Sequence, residues 1–173
     1  MQRIYFDNAA TTALDPKVLE EMLPFLTEKF GNPSSIYSYG RESKMGIEAA
    51  RKTVAKILHT KPGNVFFTSG GTESSNTAIR AAIRDLGCNH IITSPIEHHA
   101  TLHCAEYWEH QGLKVSYVTI LPSGHVDLDS LRSLLAAHTD GRTLVTLMHA
   151  NNEIGNLLPI QEVGEICKAH DAV

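Results

Sequence analysis

Apolar residues in this chain recur in two rhythms, and the change from one to the other predicts its elements. Near the start, Val18, Leu19, Met22, Leu26 and Phe30 stand three or four positions apart, the period of a helix with one inward face. Asp15-Pro16 opens that helix, with Asp as N-cap and Pro at the first helical position. Pro24 predicts a bend in it. A second helix over residues 41–58 turns Ile47, Ala50, Val54 and Ile57 inward. The segment between them, Gly31-Asn32-Pro33-Ser34-Ser35, is a loop by composition. Residues 1–14 read as an extended lead-in, with the short apolar run Ile4-Tyr5-Phe6 closed by Asp7-Asn8.

Further on, the rhythm becomes a regular alternation. The runs Asn64–Thr68, His90–Thr93, Val115–Thr119 and Thr143–Met148 predict strands, separated by helices near 73–86, 98–111, 127–137 and 160–170. The strands are β-branched and apolar on both faces, as in a sheet covered on both sides. Alternating units of this length imply an α/β layered domain with a largely parallel sheet. The predicted organisation is therefore an N-terminal extended segment (1–14), N-terminal helices (15–58) and an α/β domain (59–173). Strand order is not written in this pattern. Asp171-Ala172-Val173 resembles the turn into one more strand, so the alternation predicts a continuation past Val173.

Composition narrows the function without choosing it. The 173 residues carry 15 Lys+Arg against 19 Asp+Glu, a net charge of −4, with no basic cluster to engage nucleic acid. No apolar run is long enough to span a bilayer, and Asp7-Asn8 interrupts the region where a signal peptide would need its apolar stretch. Cys88, Cys104 and Cys167 form neither a CxxC pair nor an even framework, and they read as reduced, small buried hydrophobes in a cytoplasmic protein.

Three polar segments follow predicted strands and so are expected at one edge of the sheet. In Thr68-Ser69-Gly70-Gly71-Thr72-Glu73-Ser74, a strand passes through two glycines directly into a helix. That arrangement suits a phosphate or carboxylate, because glycine lets an anion approach and the helix start offers free N–H groups. An ordinary capped turn explains the same residues. Neither a GxGxxG nor a GxxxxGK[ST] pattern is present. In Ser94-Pro95-Ile96-Glu97-His98-His99-Ala100, an imidazole could stack on a flat ring or move a proton. Alternatively, His99, His103 and Glu106 share a helical face and could begin a metal site, although the His-Glu-x-x-His order of zinc hydrolases is missing. In Met148-His149-Ala150-Asn151-Asn152-Glu153-Ile154-Gly155, paired amides could hold a ligand oxygen, or simply build a turn before glycine.

Taken together, Tyr5-Phe6-Asp7-Asn8-Ala9-Ala10-Thr11-Thr12, Gly31-Asn32-Pro33-Ser34-Ser35, Phe67-Thr68-Ser69-Gly70-Gly71-Thr72-Glu73-Ser74, Glu97-His98 and Asn151-Asn152-Glu153-Ile154-Gly155 resemble, in order and spacing, the cysteine desulfurases of the class V aminotransferase group. The resemblance runs from about Ile4 to Val173 and covers under half of such an enzyme. It implies a three-layer α/β/α fold with a mostly parallel mixed sheet, the large domain of a fold type I pyridoxal-phosphate-dependent transferase, here incomplete.

The implied activity is removal of sulfur from L-cysteine, giving L-alanine and an enzyme persulfide for iron–sulfur cluster or thio-cofactor assembly. The implied cofactor is pyridoxal 5'-phosphate. Residue by residue, Gly71 and Thr72 match the pair that holds its phosphate. His98 matches the histidine that stacks on its ring and moves protons, and Asn152 matches the asparagine bonded to its phenolic oxygen. Asn32 and Ala10 fall near the mouth of the site, and Tyr37 stands where many relatives have histidine. A sulfur-acceptor or iron–sulfur scaffold protein and a homodimer are implied as partners. The lysine that anchors the cofactor, the aspartate that meets its ring nitrogen, the sulfur-accepting cysteine and the substrate-binding arginine all lie later in such enzymes. None of the lysines here stands in that lysine's motif, so the 173 residues alone are expected to be inactive. A selenocysteine lyase shares most of these motifs, and a non-catalytic folded module built on the same half-domain is the reading from another class.

Overall fold

The structure, a computed structural model, describes residues 3–173. Its contacts divide the chain into two units, one ending at Phe67 and the other spanning Thr68–Val173.

The first unit is helical. Helix α1 (Pro16–Thr27) starts where Asp15 caps it, the carboxylate accepting the Lys17 N–H at 2.8 Å, and runs on through Pro24. Helix α2 (Ser38–Ile57) follows, and a short 3-10 turn covers Pro62–Asn64. The periodicity predicts an inward apolar stripe on α1, but none of its residues is buried, and Leu26 and Phe30 are largely exposed. Two helices can cover only a seam. That seam is made by Phe25 against Gly46, Phe30 beside Tyr39, and the Ser43 hydroxyl donating to the Lys29 carbonyl at 2.8 Å. Helix α2 accordingly buries Gly40, Ser43 and Ala55, not the expected Ile47 and Ile57. The expected strand over 64–68 does not form either, and Phe66 and Phe67 are exposed. A strand needs a neighbouring strand for its N–H and C=O groups, and among the described residues none pairs with 64–68.

The second unit is a layered α/β domain, as its periodicity predicts. Helix α3 (Gly71–Arg84) leads to β1 (Cys88–Thr93), then α4 (His99–His110), β2 (Lys114–Tyr117), α5 (Leu128–Ala136), β3 (Arg142–Val145) and α6 (Ile160–Ala169). The three strands are parallel in the order β2-β1-β3, with Ile91 opposite Val115 on one side and Leu144 on the other. The step from β1 to β2 runs one way across the sheet, and the step from β2 to β3 runs back past β1. Right-handed crossovers then require the two connecting helices to lie on opposite faces, and they do. Ile91 and Leu144 pack with Ile79, Ala82 and Cys104 of α3 and α4, while Ile92 packs with Leu131 and Leu135 of α5 and with Val163 and Ile166 of α6. This gives three layers around a parallel sheet.

Two side-chain devices fix the helices on the second face. Asp127 caps α5, accepting the N–H groups of Asp129 and Ser130. Arg132 reaches Glu162 of α6 at 2.8 Å as well as Asp129 of its own helix at 2.9 Å. At the open edge of β3, the Val145 N–H donates to the Val173 carbonyl at 2.8 Å and the Val173 N–H donates to the Thr143 carbonyl at 2.9 Å. Val173 thus occupies a parallel-ladder position beside β3, where the sequence predicts one more strand.

Candidate functional site

Neighbouring strands β1 and β3 send their following chains to opposite faces, β1 into α4 and β3 towards α6. Where such loops diverge, a crevice opens beyond the carboxyl ends of the strands, the usual place for a ligand in an open α/β sheet. The second and third candidate segments are these two loops.

The first candidate segment is the turn into α3. Gly70 is the N-cap and brings no side chain to cap the helix, and a Cβ on either Gly70 or Gly71 would meet nothing within 4 Å. The first turn of α3 therefore keeps its N–H donors beside open space, with the Thr72 hydroxyl as a neighbour. This donor set fits a phosphate. Glu73 folds back and accepts both the Ser69 N–H and the Ser69 hydroxyl at 2.7 Å, and these bonds hold its carboxyl below its ordinary value. Thr68 and Ser74 close the turn through their hydroxyls, 2.6 Å apart.

The second segment presents His98 as the N-cap of α4. Its Nδ1 accepts the Ala100 N–H at 3.1 Å, so Nε2 is the ring position left free. The adjoining Glu97 turns inward. Its Oε1 accepts the buried Ser94 hydroxyl and the Met148 N–H, each at 2.8 Å. Burial pushes the Glu97 carboxyl above its ordinary value, against the lowering effect of those two bonds.

In the third segment the paired amides separate by role. Asn151 Oδ1 accepts the N–H groups of Glu153 (2.9 Å) and Ile154 (3.1 Å), building the turn that ends at Gly155 with its positive φ of 75°. Its Nδ2 donates to the Ile96 carbonyl at 2.9 Å. Asn151 is thereby used up within the protein. Asn152 is exposed, and among the described residues its Nδ2 donates only to the adjacent Glu153 at 2.9 Å. The turn reading thus describes Asn151, and the ligand reading is left to Asn152.

These bonds join the segments into one site. Glu97 and Asn151 link the His98 loop to the Asn152 loop. Asn76, one turn into α3, donates to the Thr72 carbonyl at 2.9 Å and reaches the Ala100 carbonyl at 3.5 Å, linking the glycine turn to the start of α4. The sequence gives no role to Asn76 or Glu97, and it does not separate Asn151 from Asn152. The available signals were their positions: one turn beyond Thr72, and directly before His98 and Asn152.

The metal reading gains nothing here. The His99 and His103 rings lie 5.4 Å apart, but no group of three or more potential ligands gathers among the described residues. Cys88 and Cys104 are buried and Cys167 is half-buried, and burial raises all three thiols above their ordinary value. They behave as small core residues. Among the described residues, no helix is long and apolar enough to cross a membrane.

A family model described as Aminotransferase class-V matches residues 4–173. The chain is 47% identical over 170 residues to a protein of Clostridium botulinum named Cysteine desulfurase IscS, covering 96% of this chain and 42% of that protein. A solved structure described as a NIFS-like protein superposes with a TM-score of 0.92 at 42% identity, over 98% of this chain and 46% of the other. Another, described as SspA in complex with cysteine, gives a TM-score of 0.88 at 35% identity, over 97% and 48%. The chain thus spans under half the length of these relatives.

Proposed function

The chain belongs to the aminotransferase class-V family, and we propose that it serves a pyridoxal-phosphate-dependent cysteine desulfurase as the part that grips the cofactor's phosphate and ring. The observation that carries this reading is the tying of the glycine turn, the His98 loop and the Asn152 loop into one site where the loops after β1 and β3 diverge. The 47% identity to a protein named as a cysteine desulfurase, and the likeness to a structure described as containing cysteine, favour L-cysteine over selenocysteine as substrate.

When bound, pyridoxal phosphate supplies an electron sink for negative charge at the α-carbon of an amino acid. The residues of this chain bind and orient. The N–H groups at Gly71 and Thr72, with the Thr72 hydroxyl, hold the phosphate dianion against the positive end of α3. His98 stacks on the ring, held at one edge by its cap bond to Ala100. With Nδ1 occupied as an acceptor, Nε2 is the atom that holds or passes a proton. Asn152 donates from its amide to the phenolic oxygen, while Asn151 fixes the turn beneath it.

The net reaction in this reading takes sulfur from L-cysteine, leaves L-alanine and places the sulfur on an enzyme cysteine as a persulfide. A sulfur-acceptor or iron–sulfur scaffold protein then receives it. None of Cys88, Cys104 and Cys167 suits the accepting role, since their burial and raised pKa disfavour a thiolate. Homodimeric assembly and a cytoplasmic setting belong to the same proposal.

Equilibrium dialysis of the full chain against pyridoxal phosphate tests the reading, combined with intact mass after borohydride reduction. Binding is expected, weakened about tenfold by Thr72→Val and by His98→Ala, with the mass of the reduced chain unmodified. Binding indifferent to both variants would overturn the site. A single stoichiometric adduct would place the covalent anchor on one of this chain's own lysines.

A further inference from the structure

Two side chains given no contact with the cofactor tie the halves of its proposed site together. Glu97, from the loop after β1, accepts the Met148 N–H of the loop after β3 at 2.8 Å. In return Asn151, from the loop after β3, donates to the Ile96 carbonyl of the loop after β1 at 2.9 Å. Each loop lends one side chain to the backbone of the other, across the gap where the sheet sends the two chains to opposite faces. Nothing in the strand ladder fixes those loops, because the β1–β3 pairing ends at Ile92 and Val145.

We propose that Glu97 and Asn151 are positioning residues, a reciprocal clasp that sets the separation between His98 and Asn152. The proposal rests on the cofactor-site reading above. Its geometry is specific: the clasped residues directly precede the two they position, Glu97 before His98 and Asn151 before Asn152. The Glu97 carboxylate also accepts the hydroxyl of Ser94, a fully buried residue next to the last residue of β1, so the clasp is anchored to the rigid end of the sheet. Asn151 is anchored in the same way by the turn it builds with Glu153 and Ile154. A shift of either loop would carry its ligand-facing residue away from the other without disturbing the core.

The test is a double-mutant cycle on pyridoxal phosphate affinity, read by equilibrium dialysis of the full chain with thermal unfolding followed in parallel. Glu97→Ala removes the acceptor and is expected to weaken binding about tenfold. Glu97→Gln keeps a carbonyl oxygen where Oε1 sits and is expected to stay within about twofold of the parent. Combined with His98→Ala, the Glu97→Ala change is expected to cost less than about twofold more, because the ring it positions is already gone. A merely structural residue would give the same loss with and without His98, and that additive outcome would overturn the proposal. Should Glu97→Ala fail to fold, Glu97→Asp takes its place in the same cycle, since the shorter side chain keeps the charge but withdraws from Met148. Parent protein that binds while neither Glu97→Ala nor Glu97→Asp changes affinity would sink the clasp alone. Parent protein that binds no pyridoxal phosphate would sink the cofactor-site reading and the clasp with it.

Discussion

His90 of β1 lies with its Nε2 2.9 Å from the Ser116 hydroxyl of β2, and its Nδ1 is 3.3 Å from the Thr143 hydroxyl of β3. The ring is fully buried, 4.5 Å from that of His138, and bridges all three strands. Hydroxyls can donate to one ring nitrogen and accept from the other, so the neutral imidazole is satisfied in place.

A proton on His90 would leave both hydroxyls able to accept from the ring but would bury a positive charge, and stability should follow. Burial first, then the charges of His138 and Lys114, push its pKa down to about 4 from 6.5. A depressed pKa means the unfolded chain takes up the proton first. The contribution is therefore complete above about pH 6.5 and is lost as pH falls towards 4, about 3 kcal/mol in all. Urea midpoints measured across that range should fall with pH, and His90→Gln should flatten the slope. An unchanged slope in the variant would remove His90 as the cause.

His98 combines a capping bond with an imidazole, and substitution can separate them. His98→Ala removes the acceptor for the Ala100 N–H and should cost about 1 kcal/mol of stability. His98→Asn restores a good cap and should recover most of that loss. Neither variant has a ring to stack, so both should bind pyridoxal phosphate more weakly. Thermal unfolding beside dialysis shows whether the two losses part in this way. Recovery of affinity by Asn would mean that the cap, not the ring, holds the ligand.

Much of this was legible in the sequence because it is local. The cap at Asp15, the helical stretches that become α3 to α6 and the alternation of elements are all short-range patterns, and they specify a layered α/β domain with a largely parallel sheet. The glycine turn is equally local, since Gly70-Gly71-Thr72 sits between a buried-type run and a helix. What the pattern did not carry is long-range. Glu97 meets Met148 across 51 positions and Asn151 meets Ile96 across 55, and a single sequence does not mark such partners. Strand order, which makes the β1 and β3 loops neighbours, is long-range too. The misread pieces, the inward faces of α1 and α2 and a strand at 64–68, are amphipathic or β-prone segments whose apolar atoms lack a covering layer among the described residues.

Glu73 sets two effects against each other at the phosphate turn. Its carboxylate orders the turn through both Ser69 bonds, yet it places a negative charge in the first turn of α3, where an anion should bind. The residue is exposed, so repulsion is screened by solvent and salt. Ordering should win. Glu73→Ala is expected to weaken pyridoxal phosphate binding several-fold, and Glu73→Gln less, because its carbonyl can still accept. Tighter binding by the alanine variant would show that repulsion dominates.

The first unit offers a contrast between two glycines of α2. A Cβ at Gly40 would stand 2.5 Å from the backbone carbonyl oxygens of both Asn32 and Ser35, so the 32–35 loop itself would have to move. A Cβ at Gly46 would instead strike the end of the Phe25 ring, and that side chain is 41% exposed and can swing outward. Backbone yields far less readily than the tip of a partly exposed ring. Gly40→Ala should therefore cost about 1–3 kcal/mol, the range for overpacking, offset only slightly by alanine's better helix propensity. Gly46→Ala should cost less than about 1 kcal/mol, because the same propensity gain stands against a smaller rearrangement. Unfolding by urea, with limited proteolysis of the 31–36 segment, distinguishes the two. Greater loss and faster cleavage in Gly46→Ala than in Gly40→Ala would mean that the Phe25 seam, and not the loop on Gly40, holds this unit together.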